Sequence, residues 1–290
     1  MHPKDKMIIE KAYAKINIGL DIVKKRRDGY HDIDTIMQTI SLADDISIKK
    51  QPGISITCSD PNIPTDIRNT AYKAAHLFFE KAKIDYTKTG VAINIEKNIP
   101  SQAGLGGGSS DAAAVLNGLN NLYGTNFGSA LMRELALKIG SDVPFFIGGG
   151  TQRALGRGEK LNSIKDFMDY DVVLIMPGET VSTANAYSMF SDTATAVHPD
   201  MNIIEDAVVG KNLFKLGESL GNTFESLVFP TKPAIEKAKH DILETEAAAA
   251  SMTGSGAAVF GIYDSYEKAE SAFSTLRHKY AVYLIKTIGG

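Results

Sequence analysis

The chain has 290 residues, of which 43% are hydrophobic and 22% charged, and a formal net charge of −3. That is the composition of an ordinary globular protein longer than one ordinary core, so two domains sharing a cleft are expected. Slight acidity leaves no basic footprint for nucleic acid, and no apolar run approaches a membrane span. Residues 1–6 are polar and do not read as a signal peptide, although either Met1 or Met7 could be the natural start. The single cysteine, Cys58, cannot form an internal disulfide and has no partners at metal-ligand spacing. A reducing, cytoplasmic setting follows.

The first element is an alternating strand over residues 8–23. Ile16, Ile18, Leu20 and Ile22 point to one side, and Lys15, Asn17, Gly19 and Asp21 to the other. Lys15 and Asn17 therefore share a face, which reads either as a solvated strand face or as a functional pair. Lys24 to Asp32 follow as a basic turn containing Asp28-Gly29. There Tyr30 and His31 set an aromatic face beside a hydrogen-bonding ring, a combination suited to a planar base as well as to a plain loop.

A strand is predicted over 35–42. Ile46/Ile48 and Ile54/Ile56 flank Lys49 to Gly53 as a hairpin. Asp66 to Asn69 precede a helix running to about Lys83, and an alternating strand over 91–96 leads into Ile99-Pro-Ser-Gln-Ala-Gly-Leu-Gly-Gly-Gly-Ser-Ser110. An alanine-rich helix over 112–122 comes next. Gly104, Gly106, Gly107 and Gly108 free the backbone to approach a ligand. The helix start adds unpaired N–H groups and a positive dipole end. Strand, glycine loop and helix together form an anion cradle, most often for phosphate. The alternative is a glycine-rich turn with Ser109 or Ser110 as N-cap. No Gly-Lys-Ser/Thr closes the loop, and no acidic residue follows at the dinucleotide-fold distance, so neither of those motifs applies.

A second helix is predicted over 129–139 and is stopped by Gly140. Ser141-Asp142-Val143-Pro144 follows, in which Asp142 is either a cap of the next segment or a functional carboxylate. Residues 151–155 read as a strand ending at the turn Gly156-Arg157-Gly158. A strand over 171–176, a helix over 183–190, a loose connection over 193–200 and helices over 203–221 and 232–244 come next. Ser251 to Ala258 form a second glycine cluster, before a strand (259–263), a helix (266–279) and a last strand (281–287). This ending suits an antiparallel α+β sandwich.

Three motifs stand in the order seen in the GHMP kinase superfamily, which includes galactokinase, homoserine kinase and mevalonate kinase. Ala14-Lys15-Ile16-Asn17 resembles its first motif, Pro100 to Ala113 its phosphate-binding motif, and Met252-Thr253-Gly254-Ser255-Gly256 its third. Arg27-Asp28-Gly29-Tyr30-His31 and Gly140-Ser141-Asp142-Val143-Pro144-Phe145 further resemble the branch whose acceptor is a cytidyl diphospho sugar alcohol of the non-mevalonate isoprenoid route.

The resemblance implies an α+β, two-domain GHMP kinase fold, ribosomal protein S5 domain 2-like over 1–155 and ferredoxin-like over 156–290. It implies a kinase using ATP and Mg²⁺, with Asp142 as general base and Lys15 stabilising charge. ATP would lie along Pro100, Ser101, Gln102, Ala103, Gly104, Leu105, Gly106, Gly107, Gly108, Ser109 and Ser110, with Asn69 and Lys97 near its adenosine. Tyr30 and Tyr187 would sandwich cytosine while His31 reads its edge. Tyr187 replaces the phenylalanine of some relatives, so its hydroxyl needs a partner. Asn17 and Thr183 would contact the sugar alcohol or diphosphate, and Thr253, Gly254 and Ser255 would close over the diphosphate. Metal ligands stay open: Ser110 is one candidate, and Asp111 is either another or a favourable charge at the helix start. Residues 191–225 carry no motif. A kinase for another small alcohol, or a non-catalytic nucleotide- or RNA-binding module, would lack the use of Tyr30 and His31 or of Lys15 and Asp142.

Overall fold

The computed structural model describes residues 7–190 and 196–290. The polar start over 1–6 and part of the connection over 193–200 lie outside them. The chain begins with two long strands, β1 (Met7–Lys25) and β2 (His31–Gln51), then β3 (Ile54–Cys58), α1 (Thr70–Ala82), β4 (Gly90–Glu96), α2 (Gly107–Tyr123), α3 (Ser129–Ile139) and α4 (Val143–Gly148). It continues through β5 (Thr151–Gly156), β6 (Lys160–Ser163), β7 (Asp171–Met176), α5 (Thr183–Met189), α6 (Met201–Val209), α7 (Leu213–Ser219) and α8 (Thr223–Val228). A 3₁₀ turn (Phe229–Thr231), α9 (Pro233–Leu243), β8 (Ala249–Met252), β9 (Val259–Tyr263), α10 (Tyr266–Leu276) and β10 (Ala281–Lys286) complete it.

Two compact units result. One takes the described residues up to Ala14, Leu42–Pro100 and Gly106–Gly148; the other takes Lys15–Ser41, Ser101–Leu105 and Gly149–Gly290. β1, β2 and the glycine loop thus each pass from one unit to the other along the chain.

In the first unit β4 pairs antiparallel with β2 (Ile46 opposite Ile95, Ile48 opposite Ile93) and parallel with β3 (Ile56 opposite Ile93). The hairpin expected between the strands around 46–48 and 54–56 is therefore not formed. The turn at Gly53 is present, but Gly53 bonds to Tyr86 and Val91, and the apolar β4 lies between the two strands. A parallel β3–β4 pair needs a crossover, which α1 supplies. Asn69 caps α1 by accepting the Ala71 N–H at 2.8 Å. Helices α1 and α2 pack on each other over a core of Ile46, Ile48, Phe78, Phe79, Ile93, Ile95, Val115 and Leu119.

The second unit contains the antiparallel sheet β10-β7-β9-β8, with α9 and α10 packed against it. With its helices this is the β-α-β-β-α-β order of a ferredoxin-like sandwich, as expected. Its core includes Val173, Ile175, Phe224, Ile235, Ile242, Met252, Val259 and Tyr263. The helix expected over 203–221 is two helices. The α6 helix ends at Gly210, Lys211 takes φ 53°, and Asn212 caps α7 by accepting the Lys215 N–H at 2.9 Å. A side-chain cap and a left-handed residue end one helix and start another, which apolar spacing alone does not reveal.

Phe78 is fully buried beside Phe79, Tyr123 and Phe127. Phe78→Ala is expected to destabilise the fold by about 3–5 kcal/mol in urea unfolding; a loss below about 1 kcal/mol would mean this aromatic cluster does not carry the first core.

Candidate active site

Lys15 and Asn17 do not lie on a solvated face, since each is only 3% exposed. Within the second unit the Lys15 ammonium donates to Asn17 Oδ1 at 2.6 Å and to the Gly104 carbonyl at 2.5 Å. Asn17 Nδ2 donates to Thr35 Oγ1 at 2.8 Å, and Thr35 in turn donates to the Gly19 carbonyl at 2.7 Å. The Asn17 N–H donates to Thr253 Oγ1 at 3.0 Å, and the Thr253 hydroxyl lies 3.3 Å from Asn17 Oδ1 and 3.4 Å from Gly104 O. A buried ammonium needs acceptors of this kind, because leaving it without them costs several kcal/mol. The first motif, the first part of the glycine loop and the third motif therefore meet in one hydrogen-bonded group around Lys15 and Asn17.

The glycines here are required by space. Gly104 has φ +76°, and a Cβ on it would sit 2.2 Å from the Thr253 carbonyl. Gly254, at φ +56°, faces the Gly104 carbonyl and Asn17 Oδ1. Support comes from a segment without a sequence motif. Asn222 Nδ2 donates to the carbonyls of Met252 and Gly254 at 2.7 and 2.8 Å. Glu225 Oε1 accepts the Met252 N–H at 2.8 Å. Thr183 and Ser255 share a hydroxyl hydrogen bond of 3.0 Å.

The same unit holds the aromatic residues. His31 and Tyr187 stack at 4.9 Å between centroids, with Phe190 edge-on to His31 and Phe224 edge-on to Tyr187. Tyr30 is 54% exposed and lies under the Arg157 guanidinium.

In the first unit α2 starts at Gly107 with Gly106 as N-cap at φ 74°. The helix expected over 112–122 thus starts five residues earlier, and the capping alternative for Ser109 and Ser110 is corrected. The left-handed turn that only glycine adopts freely lies at Gly106, so both serines fall inside the first helical turn. Their N–H groups bond to Gly106 O at 3.0 and 2.9 Å. Ser110 Oγ donates to the Tyr13 carbonyl at 2.6 Å, and Thr70 Oγ1 donates to the Gly108 carbonyl at 2.6 Å. Asn69 caps α1 and donates to the Pro64 carbonyl at 2.7 Å. Asp142 is half-buried immediately before α4, and its carbonyl accepts the Phe145 N–H at 3.2 Å.

Lys97 forms a buried ionic cluster that sequence reading missed. Its ammonium bonds to Asp44 Oδ2 and, at 2.8 Å, to Asp111 Oδ2; the three side chains are 8%, 0% and 5% exposed. Asp44 Oδ1 accepts the N–H groups of Asn98 and Ile99 at 2.5 and 2.8 Å, which shapes the turn into the glycine loop. Asp111 Oδ1 is buried with no hydrogen-bond partner. Burial opposes the Lys97 charge, but the Asp111 and Asp44 carboxylates hold its pKa above the ordinary lysine value. For Asp111 burial dominates over the attraction of Lys97, and with the Asp44 charge it pushes the carboxyl up to about 7. Among the described residues no three His, Cys, Asp or Glu side chains group to hold a metal ion. Of the two metal candidates, Ser110 Oγ donates to the Tyr13 carbonyl and Asp111 Oδ2 accepts from Lys97.

A carboxyl whose pKa is raised on folding contributes stability that is complete below about pH 4 and is lost as pH rises through about 7. Asp111→Asn is therefore expected to gain on the parent protein between pH 5 and pH 8 when urea midpoints are compared. A constant difference across that range would contradict the buried, proton-sharing cluster.

The GHMP kinases N terminal domain family matches residues 69–150, and the GHMP kinases C terminal family matches residues 204–282. A Clostridium botulinum protein named 4-diphosphocytidyl-2-C-methyl-D-erythritol kinase is 41% identical over 280 residues, covering 96% of this chain and 99% of its own. A crystal structure of 4-(cytidine 5'-diphospho)-2C-methyl-D-erythritol kinase superposes with a TM-score of 0.83 at 31% identity, over 98% of this chain and 100% of that one. Homoserine kinase from Cytophaga hutchinsonii shares the fold, with a TM-score of 0.78 at 16% identity over 98% of this chain and 95% of its own. By this full-length similarity and by the motifs it carries, the chain is a kinase that belongs to the 4-diphosphocytidyl-2-C-methyl-D-erythritol kinase family of the GHMP kinases.

Proposed function

We propose that the protein transfers the γ-phosphoryl group of ATP to the 2-hydroxyl of 4-diphosphocytidyl-2-C-methyl-D-erythritol, in the cytoplasm, as a step of non-mevalonate isoprenoid precursor synthesis. The observation that carries this reading is the Lys15 ammonium, taken out of water and aimed at the glycine loop through Gly104 O. Phosphoryl transfer depends mainly on positioning and on neutralising phosphate charge, and a fixed buried cation serves both.

In this reading Asp142 accepts the hydroxyl proton as the acceptor oxygen bonds to the γ-phosphorus and the bond to the β-phosphate oxygen breaks. Lys15 balances charge on the transferring group. Residues 100–110 receive the phosphates, helped by the positive end of the α2 dipole. Lys97 and Asn69 border the adenosine. Mg²⁺ would be carried mainly on the ATP phosphates, as is usual for this ion, and would neutralise their charge. Tyr30 and Tyr187 hold cytosine and His31 reads its edge; Asn17, Thr183, Thr253, Gly254 and Ser255 serve the diphosphate and sugar alcohol. The division 1–155 and 156–290 follows the two family halves, each of which contains one of the matched segments. Its partners are these small molecules, with no role for nucleic acid or membrane. Among the described residues no helix is long and apolar enough to cross a membrane.

Asp142→Asn is expected to lower kcat by about 10²–10⁴-fold, the usual loss for a general base, while ATP affinity measured by calorimetry stays within about twofold. Near-normal turnover would return Asp142 to the role of a helix-start residue.

A further inference from the structure

We propose that Arg157 is a positioning residue for the nucleobase: it backs one face of the Tyr30 ring so that the other face is held ready to stack. This rests on the base-stacking reading of Tyr30. The Arg157 guanidinium carbon lies 4.8 Å from the Tyr30 ring centroid, within cation–π range. Sheet register brings the two together. β5 pairs with β2 with Gly156 opposite Ile33, so the turn after β5 emerges beside the residues preceding β2. Gly156 and Gly158 take φ +74° and +105°, the Gly158 N–H bonds to Leu155 O at 3.2 Å, and Glu159 Oε2 accepts the Arg157 N–H at 2.6 Å. Arg157 is thereby anchored at its backbone.

The Tyr30 side of the contact is fixed as well. Its carbonyl accepts the Arg26 N–H at 2.8 Å, and its own N–H donates to Asp28 Oδ1 at 3.2 Å. Arg26 in turn donates to the Asp28 carboxylate at 3.0 to 3.2 Å. An exposed tyrosine on a basic turn would otherwise sample several rotamers and lose that freedom on binding. A planar guanidinium parked on one face restricts the ring beforehand and leaves a single face for a flat partner.

The test is a double-mutant cycle on the full-length enzyme, read as KM for the cytidyl substrate and for ATP. Tyr30→Ala should raise the cytidyl KM by tenfold or more, in line with loss of a stacked base. Arg157→Ala should raise it by about three- to fivefold, the size of an exposed cation–π contact, with ATP KM and the urea midpoint unchanged. Arg157→Lys, which keeps charge but loses the planar face, should fall between Arg157→Ala and the parent. In the Tyr30→Ala background, Arg157→Ala should add nothing. An equal Arg157 effect in both backgrounds would overturn the proposal and make Arg157 a direct substrate ligand. No Arg157 effect alongside a strong Tyr30 effect would overturn it while leaving base stacking intact. A cytidyl KM untouched by Tyr30→Ala would instead remove the stacking reading itself.

Discussion

Removing the Lys15 ammonium from water is the constraint on which the rest of the candidate site depends. A lysine that is 3% exposed must be given acceptors, and it takes the Asn17 amide oxygen and the Gly104 carbonyl. Those choices propagate outward. Asn17 must then spend its amide N–H on Thr35 and its backbone N–H on Thr253, and Gly104 must approach the Thr253 carbonyl closer than any side chain permits. The three motifs lie far apart along the chain, yet Lys15, Gly104 and Thr253 each supply one element of a single polar arrangement.

A second buried charge system works by the same rule with a different outcome. Lys97 faces two carboxylates, so the cluster holds one negative charge more than it can neutralise, and the Asp111 oxygen without a partner is where a proton is most readily held. Asp44 uses its other oxygen to fix the turn at Asn98 and Ile99. Stability and site geometry are joined there, since the residues that shape the entry to the glycine loop also balance its buried charge.

The two-domain character, the ferredoxin-like ending and the principal motifs were legible in the sequence, because each is local: a glycine run, an alternating strand, a turn dipeptide. What was not legible depends on partners far along the chain. Alternation makes Lys15 and Asn17 look solvated, but their face is covered by residues as distant as Gly104 and Thr253. Asp44 carries no local signal, and its part in the cluster depends on Lys97, which also binds Asp111. Asn222 and Glu225 lie in a stretch with no motif and yet hold the backbone of the third one. Capping by Ser109 or Ser110, the alternative that residue type alone suggests, is not realised, because the cap is set by which residue turns left-handed, here Gly106.

The central claim is that the protein is a kinase whose acceptor is a cytidyl diphospho sugar alcohol. It is tested most directly by ADP release with Mg-ATP and 4-diphosphocytidyl-2-C-methyl-D-erythritol, with homoserine, mevalonate and galactose run in parallel. The account predicts turnover confined to the cytidyl compound. Turnover of another alcohol in its place, or ATP binding without turnover of any of them, would contradict it.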